Sequence, residues 1–179
     1  MVIIDLGFSN LASIQNMLKR IGFEALITSK KSEIENAEKI VLPGVGSFDQ
    51  AISQLRKLGL EEVLNIKVLE QKVPILGICL GAQIMTASSE EGKMNGLGWV
   101  SAKTILFDTN KFTESLRIPH MGWEDLEISA TSPLFKDFKE SPRFYFLHSY
   151  HFHFVNKDRI NAFANYGYSF PASFQKENI

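Results

Sequence analysis

The chain has 179 residues, of which 45% are hydrophobic and 22% charged, with a formal net charge of −1. That balance suits a globular protein with its own core and excludes a strongly basic face for nucleic acid or an anionic membrane. The single cysteine excludes an internal disulfide, leaving either a buried apolar thiol or a reactive one. No basic leader opens the sequence and no run of ~18 apolar residues occurs, so a cytoplasmic protein without a membrane span is expected.

In chain order, Val2–Leu6 is a short apolar run of the kind found in a strand covered on both faces. Ser9 is placed to cap a helix with Leu11, Ile14, Leu18 and Ile21 on one face, and Gly22 to end it. Ala25–Thr28 reads as a second strand, Ser32–Glu35 as a short helix with a capping box, and Lys39–Leu42 as a third strand. The turn Pro43-Gly44-Val45-Gly46 follows. Ser47 then opens a helix with Phe48, Ala51, Ile52, Leu55 and Leu58 inward. Glu61–Gln71 predicts another helix, Val73–Ile78 a buried strand and Gly81–Ser88 the helix after it.

This alternation predicts an α/β fold built on a doubly wound, mostly parallel sheet. Beyond Trp99 the pattern becomes β-rich at Ala102–Phe107, Trp123–Ile128, Arg143–Phe154, Ile160–Tyr168 and Ala172–Gln175. No linker or repeat interrupts it, so residues 1–179 are expected to form one domain with an antiparallel extension.

The sharpest local feature is Gly77-Ile78-Cys79-Leu80-Gly81, set between a predicted strand and a predicted helix. It is the thiol form of the Gly-x-Ser-x-Gly elbow, in which a strained turn presents a nucleophile. Unpaired N–H groups after such a turn favour the thiolate and can stabilise an oxyanion, so a lowered Cys79 pKa is expected. Taken alone, the elbow leaves open that Cys79 is an apolar filler. Period-2 alternation places His151 and His153 on the strand face opposite His148, and no Cys or acidic pair completes a metal set there. No metal and no cofactor is expected.

Val73-Pro74-Ile75-Leu76-Gly77-Ile78-Cys79-Leu80-Gly81-Ala82-Gln83 resembles the signature of class I, triad-type glutamine amidotransferases. Asp5-x-Gly7-x-x-Asn10-Leu11, Pro43–Phe48, His120-Met121-Gly122-Trp123 and Tyr145-Phe146-x-His148-Ser149-Tyr150 resemble one branch of it, the glutaminase subunits of histidine biosynthesis. These segments stand in the family's order and span nearly the whole chain. Leu6 departs from the aromatic residue common there.

The resemblance implies that Cys79 attacks the carboxamide of L-glutamine, forms a γ-glutamyl thioester and releases ammonia. It implies Leu80 and the Val45–Gly46 peptide as oxyanion donors, the latter after a peptide flip. Gln83, Glu91, Ser149 and Tyr150 are implied as glutamine contacts, and His120 and Trp123 as a partner surface. The implied partner is a (β/α)8-barrel synthase or cyclase that receives the ammonia within a heterodimer and forms imidazole glycerol phosphate. The alternatives are a paralogous glutaminase serving sugar amidation in surface-polysaccharide biosynthesis, and a catalytically silent subunit. The family carries its base histidine and orienting glutamate in a Gln-Phe-His-Pro-Glu segment that is not in this sequence. The expectation is that both follow Ile179; the competing expectation is a chain that stops there and hydrolyses glutamine poorly, since loss of a base costs ~10²–10⁴ in rate.

Overall fold

Four short apolar runs pair side by side because their backbone groups, once buried, must bond to one another. In the computed structural model these are β1 (Val2–Ile4), β2 (Leu26–Thr28), β3 (Ile40–Gly44) and β4 (Ile75–Cys79). They form one parallel sheet in the order β2-β1-β3-β4. The structure describes residues 1–129, 133–138 and 140–179. They fall into two compact units, Met1–Val100 with Glu177–Ile179, and Ser101–Lys176.

In the first unit the central strands β1 and β3 bury both faces, as side chains alternate across a parallel sheet. The outer strands β2 and β4 are buried only in part, so the strand expected to be buried at Val73–Ile78 is so only at Ile75. Ile3 and Val41 pack with Leu11, Ile14 and Leu18 of helix α1 (Leu11–Arg20). Val2, Ile4, Ile40 and Leu42 alternate onto the other face and are equally buried. The N-cap of α1 is Asn10 rather than Ser9: its side chain accepts the Ser13 N–H at 3.4 Å. Helix α2 (Lys31–Glu35) starts two positions earlier than its capping-box pattern predicts, with Lys30 rather than Ser32 at the cap. Thr28 supplies the reason, because its hydroxyl donates to the Glu33 carboxylate and accepts the Lys30 N–H.

Helix α3 (Phe48–Lys57) buries Phe48, Ala51, Ile52 and Leu55, as its period predicts. Helix α4 (Leu60–Asn65) runs on into a π-helical turn at Ile66–Glu70, so the predicted Glu61–Gln71 helix has two geometries. Helix α5 is only Leu80–Gln83, not Gly81–Ser88. The carbonyls that would continue it are taken by other donors: Leu97 N–H bonds Ile84 O at 2.8 Å, and Val100 N–H bonds Met85 O at 3.3 Å. Two-residue strand β5 (Ser88–Ser89) follows.

The second unit is antiparallel, which leaves one sheet face free for other contacts. Strand β6 (Ala102–Leu106) pairs with β10 (Tyr150–Phe154), and β7 (His120–Asp125) with β9 (Arg143–His148). The third group is β8 (Glu127–Ile128), β11 (Ile160–Asn165) and β12 (Ser169–Phe174), in the order β12-β11-β8. Phe107, Leu126, Ala162, Ala164 and Phe170 form its core. Among the described residues, no helix is long and apolar enough to cross a membrane.

Candidate active site

The C-terminal ends of β3 and β4 lie in register, with Gly44 opposite Cys79. In open α/β sheets this is the edge where ligands bind. Cys79 sits there at φ 54° and ψ −120°. An L residue enters that region only under strain, and here it is a single residue between a strand and a helix, as an elbow requires. The strain persists because the neighbouring backbones are held close. A Cβ on Gly81 would stand 1.8 Å from Leu42 O, so only glycine lets α5 approach β3 this closely.

Cys79 is exposed and unpaired. Although the residue reaches solvent, its sulfur lies close enough to protein to be poorly hydrated, and burial pushes the thiol above its ordinary pKa. The Leu80 N–H bonds the sulfur and pulls the other way, without prevailing. The expected lowering of the Cys79 pKa is therefore corrected: desolvation outweighs one N–H, and the resting group is the thiol.

Beside the elbow, Val45, Gly46 and Ser47 form an exposed loop between the buried Gly44 and Phe48. Gly46 has φ 96°, a value open to glycine at no steric cost. Ser47 occupies the N-cap position of α3, yet its side chain makes no capping bond. The Phe48 N–H instead donates to Glu91 Oε2 at 2.7 Å. A carboxylate at a helix start satisfies an orphan donor and meets the positive end of the helix dipole. Ser89, buried, accepts the Glu91 N–H on its hydroxyl at 3.1 Å. Gln83 is half-buried at the end of α5, and its carbonyl accepts the Thr86 hydroxyl at 2.8 Å. The first unit thus brings Cys79, Leu80 and the Val45–Gly46 loop to one sheet edge and ties Glu91 to the end of that loop.

Ser149 and Tyr150 belong to the second unit, at the break between β9 and β10. Ser149 O accepts the Phe107 N–H at 3.1 Å, and Tyr150 pairs with Leu106. That break also corrects the predicted separation of the histidines. His148 and His151 both pack against Phe107, with ring centroids 5.2 Å and 4.8 Å away, while His153 is exposed. His148 Nδ1 lies 2.8 Å from Tyr150 O, so it carries the proton and donates. Its Nε2 is then the acceptor for His120 Nδ1, 3.1 Å away. His151 likewise donates through Nδ1 to Phe152 O and accepts the Tyr168 hydroxyl on Nε2. Burial holds all three imidazoles below their ordinary pKa, His148 at about 4. Among the described residues, no group of three or more His, Cys, Asp or Glu is placed to hold a metal ion.

His120 is fully buried, stacked on Tyr166 at 4.0 Å, so its side chain does not belong to a partner surface as expected. Trp123 is 63% exposed. It faces Tyr145 across the β7–β9 ribbon at 5.6 Å, beside the exposed pair Met121 and Leu147. Sequence patterning misses Asp49, whose carboxylate accepts the Lys93 and Met94 N–H groups. The only hint is Gly92 after two glutamates, where a Cβ would stand 2.0 Å from Asp49 Oδ1.

Fold and elbow together define an α/β domain with a candidate cysteine nucleophile, and the family model for glutamine amidotransferase class-I matches residues 2–178. The chain belongs to that family. It is 45% identical to imidazole glycerol phosphate synthase subunit HisH 2 of Methanococcus maripaludis, over 99% of this chain and 86% of that protein. It is 40% identical to the HisH subunit of Leptospira borgpetersenii and to HisH 2 of Pseudomonas aeruginosa, each over 99% of this chain and 87% of the relative. Among solved structures, one titled as a glutamine amidotransferase superposes with a TM-score of 0.68 at 20% identity, covering 92% of this chain and 84% of the other. A glutamine amidotransferase from Thermotoga maritima gives 0.59 at 17% identity, covering 93% and 70%; these two show the fold.

Proposed function

We propose that this chain is the glutaminase subunit of an imidazole glycerol phosphate synthase, working in the cytoplasm as a single glutamine amidotransferase domain. The observation that carries the reading is Cys79, held at positive φ beside the Gly44–Gly46 loop, in a chain 40–45% identical to HisH subunits over 99% of its length. Because desolvation keeps the resting sulfur protonated, a base must remove its proton before attack. A histidine of the kind the family carries in its Gln-Phe-His-Pro-Glu segment would serve.

The Cys79 sulfur then adds to the carboxamide carbon of glutamine, and the carbonyl oxygen becomes an oxyanion. Leu80 N–H and the Val45–Gly46 peptide, turned toward it, stabilise that charge. The nitrogen takes a proton and leaves as ammonia, giving a γ-glutamyl thioester. Water hydrolyses the thioester to glutamate and frees the thiol. Gln83, Ser149 and Tyr150 hold the glutamine, together with Glu91, whose second carboxylate oxygen remains for the substrate's amino group. Ammonia passes to a (β/α)8-barrel cyclase bound as the other half of a heterodimer. The exposed ribbon of Met121, Trp123, Tyr145 and Leu147 supports a docking role there, since aromatic anchors dominate interface energetics. His120 supports that ribbon from beneath.

The test is ammonia release from glutamine by the chain alone and with the cyclase. The expected result is complex formation and hydrolysis that rises on adding the cyclase. No binding and no hydrolysis with a verified cyclase would sink the reading, and binding instead to a sugar-amidating synthase would redirect it.

A further inference from the structure

The Val45–Ser47 loop is fixed at both ends but by unlike means. At Gly44 it is tied by strand pairing to Cys79, and a Cβ there would stand 2.8 Å from Gly81 N. At Phe48 the N–H donates to Glu91 Oε2 at 2.7 Å, beside the hold of α3 itself, in which Ala51 N–H donates to Ser47 O at 3.1 Å and Phe48 is fully buried. Glu91 comes from 43 residues further along, and a lone exposed carboxylate would not hold one geometry without support. Ser89 gives part of it by accepting the Glu91 N–H, and Asp49, the next residue of α3, gives the rest. Its Oδ1 accepts Lys93 N–H at 3.1 Å and Met94 N–H at 3.0 Å, and its Oδ2 lies 3.0 Å from Lys93 N. Those two backbone donors hold the Asp49 carboxyl below its ordinary pKa. Gly92 leaves room for the contact. The two carboxylates thus reach in opposite directions between the same pair of segments: Glu91 onto the start of α3, and Asp49 from α3 onto residues 93–94.

We infer that Asp49 is a positioning residue for the glutaminase reaction: by clamping residues 93–94 it holds Glu91 on Phe48 and so fixes the far end of the oxyanion loop. The inference rests on the glutaminase reading and adds to it a residue that does not touch substrate. Without the clamp, the loop keeps its Gly44 anchor and the helical hold on Ser47 and Phe48 but loses the Glu91 bond, and the Val45–Gly46 peptide meets the developing oxyanion less well aligned.

The experiment compares Cys79 alkylation by a glutamine-derived chloroketone, which develops an oxyanion on addition, with alkylation by iodoacetamide, which does not. Wild type, Asp49→Ala and Asp49→Asn are measured well below their unfolding temperatures. Asp49→Ala is expected to slow the limiting chloroketone rate about 10- to 100-fold, since misplacement by as much as 1 Å costs about 10²-fold and outright loss of an oxyanion donor ~10²–10³-fold. Half-saturation and the iodoacetamide rate should move less than about threefold. Asp49→Asn, which keeps an Oδ1 acceptor for both N–H groups, should recover most of the rate. An unchanged limiting rate in Asp49→Ala, or an equal fall with both reagents, would overturn the inference alone. A wild-type Cys79 no more reactive toward the chloroketone than free cysteine would overturn the glutaminase reading beneath it.

Discussion

Gly81 offers the most demanding test of the elbow. Replacing it with alanine places a Cβ 1.8 Å from Leu42 O, 2.7 Å from Leu42 C and 3.1 Å from Pro43 C. All three are backbone atoms of β3, so no side chain can swing aside. Ordinary contact begins at 3.4 Å, so α5 and β3 must separate by about 1.6 Å at this point. Overpacking of a close-packed core costs ~1–3 kcal/mol and occasionally more, and relief here requires moving buried strand backbone, so a loss of about 3 kcal/mol is expected. The same shift moves Cys79 and Leu80 away from the Gly44–Gly46 loop, which should lower kcat by at least ~10²-fold. Urea unfolding and glutamine turnover read the two effects separately. Gly122, where an added Cβ meets nothing within 4 Å, is the stability control, expected within about 0.5 kcal/mol on substitution by alanine. A Gly81→Ala protein as stable as wild type, with full turnover, would refute the close approach on which the strained Cys79 depends.

Acid should weaken the second unit. His148 has its folded pKa lowered from 6.5 to about 4, so between those values the unfolded chain binds a proton that the folded chain refuses. Stability is therefore retained above pH 6.5 and falls by about 3 kcal/mol as pH drops to 4, which Tm against pH would reveal; a flat profile would contradict it. Trp123→Ala should weaken association with the cyclase by about 2 kcal/mol while leaving the Tm of the free chain nearly unchanged, as calorimetric titration and thermal unfolding would show. Asn65→Ala removes the acceptor of the buried Trp99 indole N–H, Asn65 Oδ1 at 2.7 Å, and should cost about 1 kcal/mol in urea unfolding.

The parts of this fold legible in the sequence are those where local pattern and tertiary burial agree. Val2–Ile4 and Ile40–Leu42 are continuous apolar runs, and both of their faces are buried. The inward positions of α3 follow its period without exception through Leu55. The helix after Cys79 is legible in its start and not in its end, because the donors that stop it come from residues 97–100, beyond any local window. Alternation misjudges the histidine faces because it assumes an unbroken strand, and Ser149 breaks it. At the site, Cys79 and its glycines are readable since the elbow needs those residue types in those places. Its pKa direction is not, because hydration of the sulfur depends on how densely neighbouring segments surround it. Asp49 is invisible for a related reason: a carboxylate that binds backbone N–H groups 44 residues away leaves no spacing to detect.

The most direct test of the account is to trap its covalent intermediate. The chain bound to its cyclase is mixed with isotope-labelled glutamine, quenched in acid and digested, and the peptides are weighed. Label should appear as a γ-glutamyl group on the peptide containing Cys79, and Cys79→Ala should lose both the label and ammonia release. Ammonia released at an undiminished rate by Cys79→Ala would contradict the assignment of Cys79 as the nucleophile.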